Sequence, residues 1–415
     1  MLFLYNLGIG LYGLIISLIA PFNSKAKKWK DGRRNWSISL EQKMQKRNSH
    51  QPVFWLHASS LGEFEQGRPI IEALKKAQPN LFIVLSFFSP SGYEIRKNYH
   101  FADVVTYLPL DTKRNARQFL QIIQADFAVF VKYEFWHHFL YQLEQLKVPT
   151  YLVSAVFRPN QVFFKPYGKF FRDILQRFQH IFVQDASSFQ LLQNIKLTNS
   201  TLSGDTRIDR VFDISQTQKA LPILDRFCGN APVWVIGSSW PPDEALIFDY
   251  FHHHLPEDWK IIIAPHDISN KHLQGIEQQL QVPSLRYSEA EGKDLENDRV
   301  LIIDNIGMLA FLYRYGKIAY IGGGFGEGIH NTLEAIVYGL PVIFGPKYKK
   351  FEEAKYLVQQ GGGFCIATKE DLSQRMDNLL TEANLAKAAK IAKGYIEQNQ
   401  GASQQISHYL SQKYL

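Results

Sequence analysis

The first half of the chain alternates short apolar runs with amphipathic stretches of helical periodicity, such as residues 66–77 and 116–123. The apolar runs predict strands at residues 53–57, 82–86, 104–108, 127–131, 150–154, 181–184 and 201–204. Strands that alternate with helices form parallel sheets with helices on both faces. This half of the chain therefore predicts a doubly wound α/β domain.

The same alternation restarts after a polar stretch with two prolines and a glycine at residues 213–232. Further strands are predicted at residues 233–237, 261–264, 300–303, 318–321 and 342–344, and helices from residue 371 onward. We predict Rossmann-like domains at residues 23–212 and 233–390, a linker at 213–232 and a helical tail at 391–415. Two such domains that face a cleft would bind a ligand at the C-terminal ends of their strands.

Residues 1–22 form the longest apolar segment and contain no charged side chain. Their length suits one bilayer crossing or a tilted, embedded helix. The first 50 residues hold nine Lys and Arg against two Asp and Glu, which accounts for the whole net charge of +7. The rest of the chain is formally neutral, so composition does not indicate a nucleic-acid partner. A basic flank after an apolar helix predicts a membrane anchor with a cytoplasmic body. A buried core helix is the alternative.

A strand, a glycine-rich turn and a helix start are predicted in succession at residues 317–335. The glycines of the turn are Gly322, Gly323, Gly324, Gly326 and Gly328. Backbone N–H groups of such a turn can approach a phosphate closely, and a helix N-terminus favours anions. His330, Asn331 and Glu334 follow, and Glu334 is placed to accept ribose hydroxyls. The alternative is a capping box between Asn331 and Glu334 that needs no ligand.

Small and polar residues follow several predicted strands. The first strand leads into Ser60, Gly62 and Glu63, where a carboxylate can act as general base on a hydroxyl nucleophile. Complementing a helix dipole is the alternative role for Glu63. We expect Trp136 and Trp240, at other strand ends, to serve packing. The two cysteines and the histidines show no metal-ligand spacing, which predicts chemistry without a metal.

Together these motifs resemble those of the 3-deoxy-D-manno-octulosonic acid (Kdo) transferases over nearly the whole chain. The family's S-x-G-E element corresponds to residues 60–63, its T-P-T-G element to residues 89–92, and its H-N-x-L-E element to residues 330–334. The second glutamate and the tryptophan of its E-x-E-x-W-P element are Glu134 and Trp136. Its G-x-x-K-x-D element is similar to residues 204–209, with Arg207 for the lysine. Pro265 replaces the arginine of its P-R-H loop, and Arg158 lies two residues beyond the arginine of its N-A-R element.

The resemblance implies a membrane-anchored, inverting glycosyltransferase of the two-domain GT-B type. Such an enzyme moves Kdo from CMP-Kdo to the lipid A precursor (lipid IVA) in lipopolysaccharide biosynthesis, at the cytoplasmic face of the inner membrane. The N-terminal domain would bind the acceptor and the C-terminal domain the donor, next to an anionic membrane surface and without a cofactor. A UDP-sugar transferase, a UDP-sugar epimerase and a non-enzymatic sugar-nucleotide binding protein are alternatives.

The site residues implied by the resemblance include one catalytic group, Glu63, which would be the general base. The implied substrate-binding residues are Ser60, Gly62, Ser91, Gly92, Glu134, Arg158, Arg207, Ser238, Ser239, His266, Gly322, Gly323, Gly324, His330, Asn331 and Glu334.

Overall fold

The computed structural model describes residues 1–217 and 219–414 and divides the chain into two units. The first unit holds Met1–Asp209 and the chain from Gly401 onward, and the second holds Arg210–Gln400. Each unit contains one seven-stranded sheet in which every pair of neighbouring strands is parallel. The predicted pair of doubly wound α/β domains is therefore confirmed, while the predicted cleft stays a prediction.

The strands of the first unit run in the order β3-β2-β1-β4-β5-β6-β7. They are β1 (Val53–Ala58), β2 (Phe82–Phe87), β3 (Val104–Tyr107), β4 (Phe127–Val131), β5 (Thr150–Ala155), β6 (His180–Val183) and β7 (Ser200–Leu202). The strand order changes direction between β1 and β4, and open α/β sheets bind ligands at such a switch point. Alternate residues of β1 are buried in cores on opposite faces, with Trp55 in one core and Phe54 in the other.

Ten helices belong to the N-terminal part of the described chain, and most of them connect the strands. They are α1 (Leu2–Ile19), α2 (Ser24–Asp31), α3 (Trp36–Met44), α4 (Leu61–Ala77), α5 (Pro90–Arg96), α6 (Lys113–Ile123), α7 (His137–Gln145), α8 (Lys169–Leu175), α9 (Ala186–Asn194) and α10 (Thr206–Gln216).

The strands of the second unit run in the order β10-β11-β9-β8-β12-β13-β14, with the switch point between β8 and β12. They are β8 (Val233–Ser239), β9 (Lys260–Pro265), β10 (Ser284–Arg286), β11 (Val300–Ile302), β12 (Ile318–Ile321), β13 (Val342–Phe344) and β14 (Gly363–Cys365). The remaining helices are α11 (Pro222–Cys228), α12 (Pro241–His253), α13 (Asn270–Leu280), α14 (Leu309–Leu312), α15 (Leu333–Ile336), α16 (Glu352–Gln360), α17 (Lys369–Leu379), α18 (Glu382–Asn399) and α19 (Ala402–Tyr414).

The structure differs from the predicted domain borders in two places. Helix α11 lies inside the predicted linker, and its Leu224 and Phe227 are fully buried, so this stretch is part of a packed unit. The predicted tail does not stay together, because α18 belongs to the second unit and α19 to the first. Ile406 and Leu410 of α19 are fully buried in the same core as Phe54.

Helix α1 is the one helix of the described chain that is long and apolar enough to cross a membrane, with a mean hydropathy of 2.0. It also packs against the first unit along one side. The hydroxyl of Tyr5 donates to Asp111, and Asn6 Oδ1 lies 2.7 Å from His138 Nε2. Gly13 is buried, and a Cβ there would approach Leu110 Cδ1 to 2.6 Å, so α1 packs closely against Leu110 at this turn.

The opposite side of α1 is exposed and apolar. Its exposed large side chains include Leu2, Phe3, Leu4, Leu7, Leu11, Leu14, Ile15, Leu18 and Ile19. An exposed apolar surface of this kind marks a protein or membrane interaction site, so the helix is compatible with membrane association. The alternative of a buried core helix is wrong, since only 6% of the helix is buried.

Candidate active site

Glu63 lies at the switch point of the first sheet, in the first turn of α4 directly after β1. Ser60 is the N-cap of α4 and forms a capping box with Glu63, whose Oε2 accepts the Ser60 N–H at 3.0 Å. The alternative role predicted for Glu63, a partner of a helix N-terminus, is therefore present in the structure. This contact also fixes the direction of the carboxylate.

The environment of Glu63 raises its pKa from the ordinary 4.5 to about 7. Burial is the largest cause, because it disfavours the charged form, and the negative charge of Glu134 adds to it. Hydrogen bonds from the backbone of Ser60 and Ser59 and the charge of Lys132 act in the opposite direction. A carboxyl group whose pKa is near neutral is suited to accept a proton and to release it again.

Glu134 follows β4, the strand on the other side of the switch point, and is buried. Its Oε2 lies 2.9 Å from Nε2 of His57, the fifth residue of β1, and also accepts the indole N–H of Trp136. On the other side of the imidazole, Nδ1 lies 2.9 Å from Ser86 Oγ. The predicted contact of Glu134 with substrate stays a prediction; in the structure its carboxylate is buried and close enough to Glu63 to act on its pKa.

His57 is fully buried and was not predicted as a site residue. Ser86 Oγ accepts the indole N–H of Trp55 at 2.8 Å, which leaves the serine proton for Nδ1 of His57. Nδ1 also lies 3.1 Å from the carbonyl oxygen of Ser86, so the imidazole is held between Ser86 on one side and Glu134 on the other. A buried histidine at the end of a strand in an otherwise apolar run was the available sequence signal.

The other predicted residues of the first unit fall into two groups. Ser91 and Gly62 are exposed, and Arg158 is exposed close enough to Tyr133 to act on its pKa. By contrast, a Cβ at Gly92 would meet the Phe87 ring at 2.2 Å, so Gly92 serves packing. Arg207 forms a bidentate pair with Asp205, with Nη2 2.6 Å from Oδ2. A substrate group would therefore have to compete with Asp205 for the Arg207 guanidinium.

In the second unit, the glycine-rich turn is packed against its neighbours and not open to a ligand along its whole length. Cβ atoms at Gly322 and Gly324 would meet the backbone of Ser238 at 2.1 Å and of Gly345 at 2.6 Å. The N–H of Gly323 donates to Asp243 Oδ2 at 3.0 Å, and the N–H groups of Gly322, Gly326 and Gly328 are paired with backbone carbonyls. Close backbone packing therefore accounts for Gly322 and Gly324.

The helix predicted after this turn is one short turn, α15, which begins at Leu333 with Thr332 as its N-cap. The Asn331 amide donates to Glu334 Oε1 at 2.9 Å, and Asn331 Oδ1 accepts the N–H of Leu333. The predicted capping box with Asn331 as N-cap is therefore wrong, because the N-cap is Thr332. The side chains of Asn331 and Glu334 are nevertheless hydrogen-bonded to each other. Ser239 is buried, and its hydroxyl proton is engaged by Glu244 at 2.9 Å.

Three aromatic side chains form a stack at the C-terminal ends of β8, β9 and β12. The Trp240 ring lies 4.4 Å from the His266 ring at an interplanar angle of 25°, and the His266 ring lies 4.7 Å from that of His330. Trp240 Nε1 donates to His330 Nε2 at 3.3 Å, and burial lowers the pKa of His330. Trp240 is 40% exposed, so the expectation that it serves core packing is wrong. We call these three residues the aromatic stack.

A sequence model of the family described as 3-deoxy-D-manno-octulosonic-acid transferase (kdotransferase) matches residues 35–210. A curated Kdo transferase from Rickettsia prowazekii is 26% identical over 91% of this chain and 83% of its own length. The enzyme of the same name from Aquifex aeolicus is 28% identical over 79% of this chain and 86% of its own length. The chain is thus similar to named Kdo transferases over most of its length. It is therefore a glycosyltransferase, and the recognised resemblance is confirmed.

Solved structures show that this chain has the GT-B type of fold. The UDP-GlcNAc 2-epimerase from Neisseria meningitidis, solved with UDP-GlcNAc, aligns with a TM-score of 0.62 over 88% of this chain and all of its own. The Anabaena protein HepE, solved with UDP, aligns with a TM-score of 0.56 over 87% of this chain and all of its own. At 16% and 13% identity these likenesses concern the fold alone.

Proposed function

We propose that this glycosyltransferase moves Kdo from CMP-Kdo to the lipid A precursor with inversion at the anomeric carbon. The observation that carries the proposal is Glu63, a carboxylate at a sheet switch point with a pKa of about 7. The similarity to Kdo transferases supports the identity of the sugar that is transferred. Glycosyl transfer needs a base at that position because the acceptor is an alcohol, which is a weak nucleophile while protonated.

Glu63 takes the proton of the acceptor's primary hydroxyl as that oxygen attacks the anomeric carbon of Kdo. One C–O bond forms on the opposite face from the C–O bond that breaks, and CMP leaves with the electron pair of the broken bond. Configuration is therefore inverted in one displacement, with Glu63 protonated at the end. The nearby charge of Glu134 raises the proton affinity of Glu63 and so strengthens it as a base.

The donor contacts assigned to the second unit centre on the aromatic stack. Trp240 offers an exposed ring face on which a cytosine ring can stack. Because Nε2 of His330 accepts the Trp240 N–H, its Nδ1 carries the proton and can donate to the CMP phosphate. Ser238 and Glu334 complete the proposed contacts, Glu334 with the ribose. In the first unit, exposed Arg158 is placed to pair with the Kdo carboxylate, a planar group that suits guanidinium.

The membrane part of the proposal places the body at the cytoplasmic face of the inner membrane. Its support is the exposed apolar side of α1 together with the exposed basic residues Lys25, Lys27, Lys28, Lys30 and Arg34. A lipid acceptor then meets the enzyme at the surface where it resides. Basic side chains near an anionic surface each add about 1 kcal/mol to attraction.

The test is mass spectrometry of the products formed by the purified full chain from CMP-Kdo and lipid IVA. We expect a product heavier by one or more Kdo residues, and no such product from the Glu63→Gln variant. A parallel arm with UDP-sugars tests the transferase and epimerase alternatives. Turnover of a UDP-sugar in place of CMP-Kdo would overturn the proposal.

A further inference from the structure

An apolar groove lies in the first unit between α1, α2 and the loop that follows β2. It encloses about 360 Å³, within the size range of ligand pockets. Its wall includes Ile16 and Ile19 of α1, Lys25 and Trp29 of α2, and Phe88 and Ser89 of the loop. We call it the α1 groove. The glycosyl-transfer chemistry described above makes no use of it.

Aromatic rings give the α1 groove a fixed shape. The rings of Tyr12, Trp29 and Phe88 contact one another, with centroids 5.7 to 5.8 Å apart. Arg33 holds this trio in place, since its guanidinium lies 3.9 Å from the Trp29 ring centre and donates to the carbonyls of Phe88 and Leu108. Within the described residues, the buried Trp29 Nε1 has no hydrogen-bond partner.

Two residues of the groove wall link it to surfaces that a lipid acceptor must reach. Ile19 is 44% exposed and belongs to the exposed apolar side of α1. Ser89 donates its N–H to the carbonyl of Ser59 at 2.7 Å. Ser59 directly precedes Ser60, the partner of Glu63. The groove therefore leads from an apolar surface to the loop that carries the proposed base.

We propose that the α1 groove holds one fatty acyl chain of the glycolipid acceptor; this rests on the proposed function. An acceptor whose sugar reaches Glu63 has to rise out of the bilayer. Each methylene group of its acyl chains that is thereby exposed to water lowers the equilibrium constant for this step about fourfold. The α1 groove keeps the chain out of water along this path. Lys25 in its wall supplies a positive charge for the acceptor's anionic head group.

The occupant is an acyl chain of the acceptor and not of bulk phospholipid, because Ser89 of the groove wall is hydrogen-bonded to Ser59 in the loop that precedes Glu63. A bulk phospholipid needs no path to that loop. The acceptor does, since its hydroxyl must reach Glu63 while its chains stay in an apolar environment.

Ile16→Trp and Ile19→Trp fill the groove, and Leu14→Trp is the matched control on the exposed side of α1, 56% exposed and outside the groove. Each is assayed with CMP-Kdo and two acceptors, lipid IVA in phospholipid vesicles and the same phosphorylated disaccharide freed of its acyl chains. We expect both groove variants to lose at least about tenfold in kcat/KM for lipid IVA. Turnover of the water-soluble acceptor and vesicle flotation should stay at the level of Leu14→Trp.

Three results would overturn the inference. Equal losses with both acceptors would show a general defect of the first unit. Equal activity of groove and control variants on lipid IVA would show that the groove is not used. If the loss of kcat/KM in the groove variants depended on the acyl chain length of the vesicle phospholipid, the groove would bind bulk lipid. A wild-type protein that transfers Kdo to neither acceptor would instead refute the proposed function, which keeps the two failures distinct.

Discussion

Glu134 and His57 form a buried pair, with 2.9 Å between Oε2 and Nε2, although 77 residues separate them in the chain. The pair forms because His57 lies on β1 and Glu134 follows β4, the two strands that flank the switch point. The imidazole N–H holds the glutamate in place, and the Trp136 N–H supports it. A fixed negative charge is thereby kept close to Glu63.

Glu134→Gln should therefore change the pH dependence of the enzyme. In the wild type, kcat/KM should rise with pH and level off above about 7, because Glu63 must be ionised to act as a base. Removal of the Glu134 charge lowers the pKa of Glu63, so the midpoint should move to lower pH. Profiles of kcat/KM against pH for both proteins measure this shift.

The control Glu65→Gln removes a partly exposed carboxylate of α4, and the midpoint of its pH profile should match that of the wild type. An unchanged midpoint in Glu134→Gln would refute the role of the Glu134 charge.

Glu63→Gln should reduce transfer by about 10²–10⁴-fold, the usual contribution of a general base. It should also change how stability depends on pH. Because folding raises the pKa of Glu63 from 4.5 to about 7, its stabilising contribution is fully present below 4.5 and is lost as pH rises through 7. Denaturant unfolding at several pH values should show the wild type losing stability relative to the variant over this interval. A constant difference, or full activity of the variant, contradicts the assignment.

The strands of both sheets could be predicted because buried parallel strands are short, continuous apolar runs. All predicted strands are present, and the two that escaped prediction, β10 and β14, lie at the sheet edges. Edge strands bury less surface. Two of the three residues of β10, Ser284 and Arg286, are polar, and Gly363 and Cys365 give β14 little apolar signal.

The position of Glu63 could be predicted for a similar reason. A strand, a small polar loop and a helix follow one another there, and the local sequence alone indicates this succession. The pairing of His57 with Glu134 and the capture of the Gly323 N–H by Asp243 could not be predicted. Both depend on which distant strands become neighbours, and a glycine-rich sequence is the same whether its N–H groups bind a phosphate or an aspartate.

Trp240→Ala should weaken CMP binding, because stacking between a base and an aromatic ring contributes about 1–3 kcal/mol. Trp240→Phe should restore most of the affinity, since it keeps a ring face but loses the indole N–H. Calorimetric titration with CMP measures both. Trp136→Phe serves as the comparison in the first unit, and its CMP affinity should remain that of the wild type. Equal CMP affinity of Trp240→Ala and wild type would exclude the aromatic stack from donor binding.

Glu334→Ala should lower CMP affinity more than Asn331→Gln does. The carboxylate of Glu334 is proposed to accept ribose hydroxyls, whereas its contact with Asn331 at 2.9 Å positions it. If the pair serves only local structure, both variants should lose stability without a change in nucleotide affinity. Thermal melting beside calorimetric CMP titration separates these results.

Replacing five exposed basic residues together by Gln should weaken flotation with anionic vesicles at low salt. These residues are Lys25, Lys27, Lys28, Lys30 and Arg34. The difference from wild type should shrink at high salt, where surface charges are screened. Arg33 was predicted to belong to this basic surface, but it stacks on Trp29 and Phe88. Arg33→Gln should therefore lower the melting temperature and leave the salt dependence of flotation unchanged. If flotation of the wild type does not depend on salt concentration, electrostatic attraction does not contribute to membrane binding.

The return of the chain from the second unit to the first affects how the protein is made. Gly401 and Ser403 donate their N–H groups to Asp209, and the following helix α19 packs on α4, the helix that begins beside Glu63. A ribosome that has finished residues 1–209 has thus produced a domain whose core still lacks Ile406 and Leu410. The entire second unit is synthesised before this gap is filled. Glu63 at the start of α4 therefore reaches its final packing only after α19 has been synthesised.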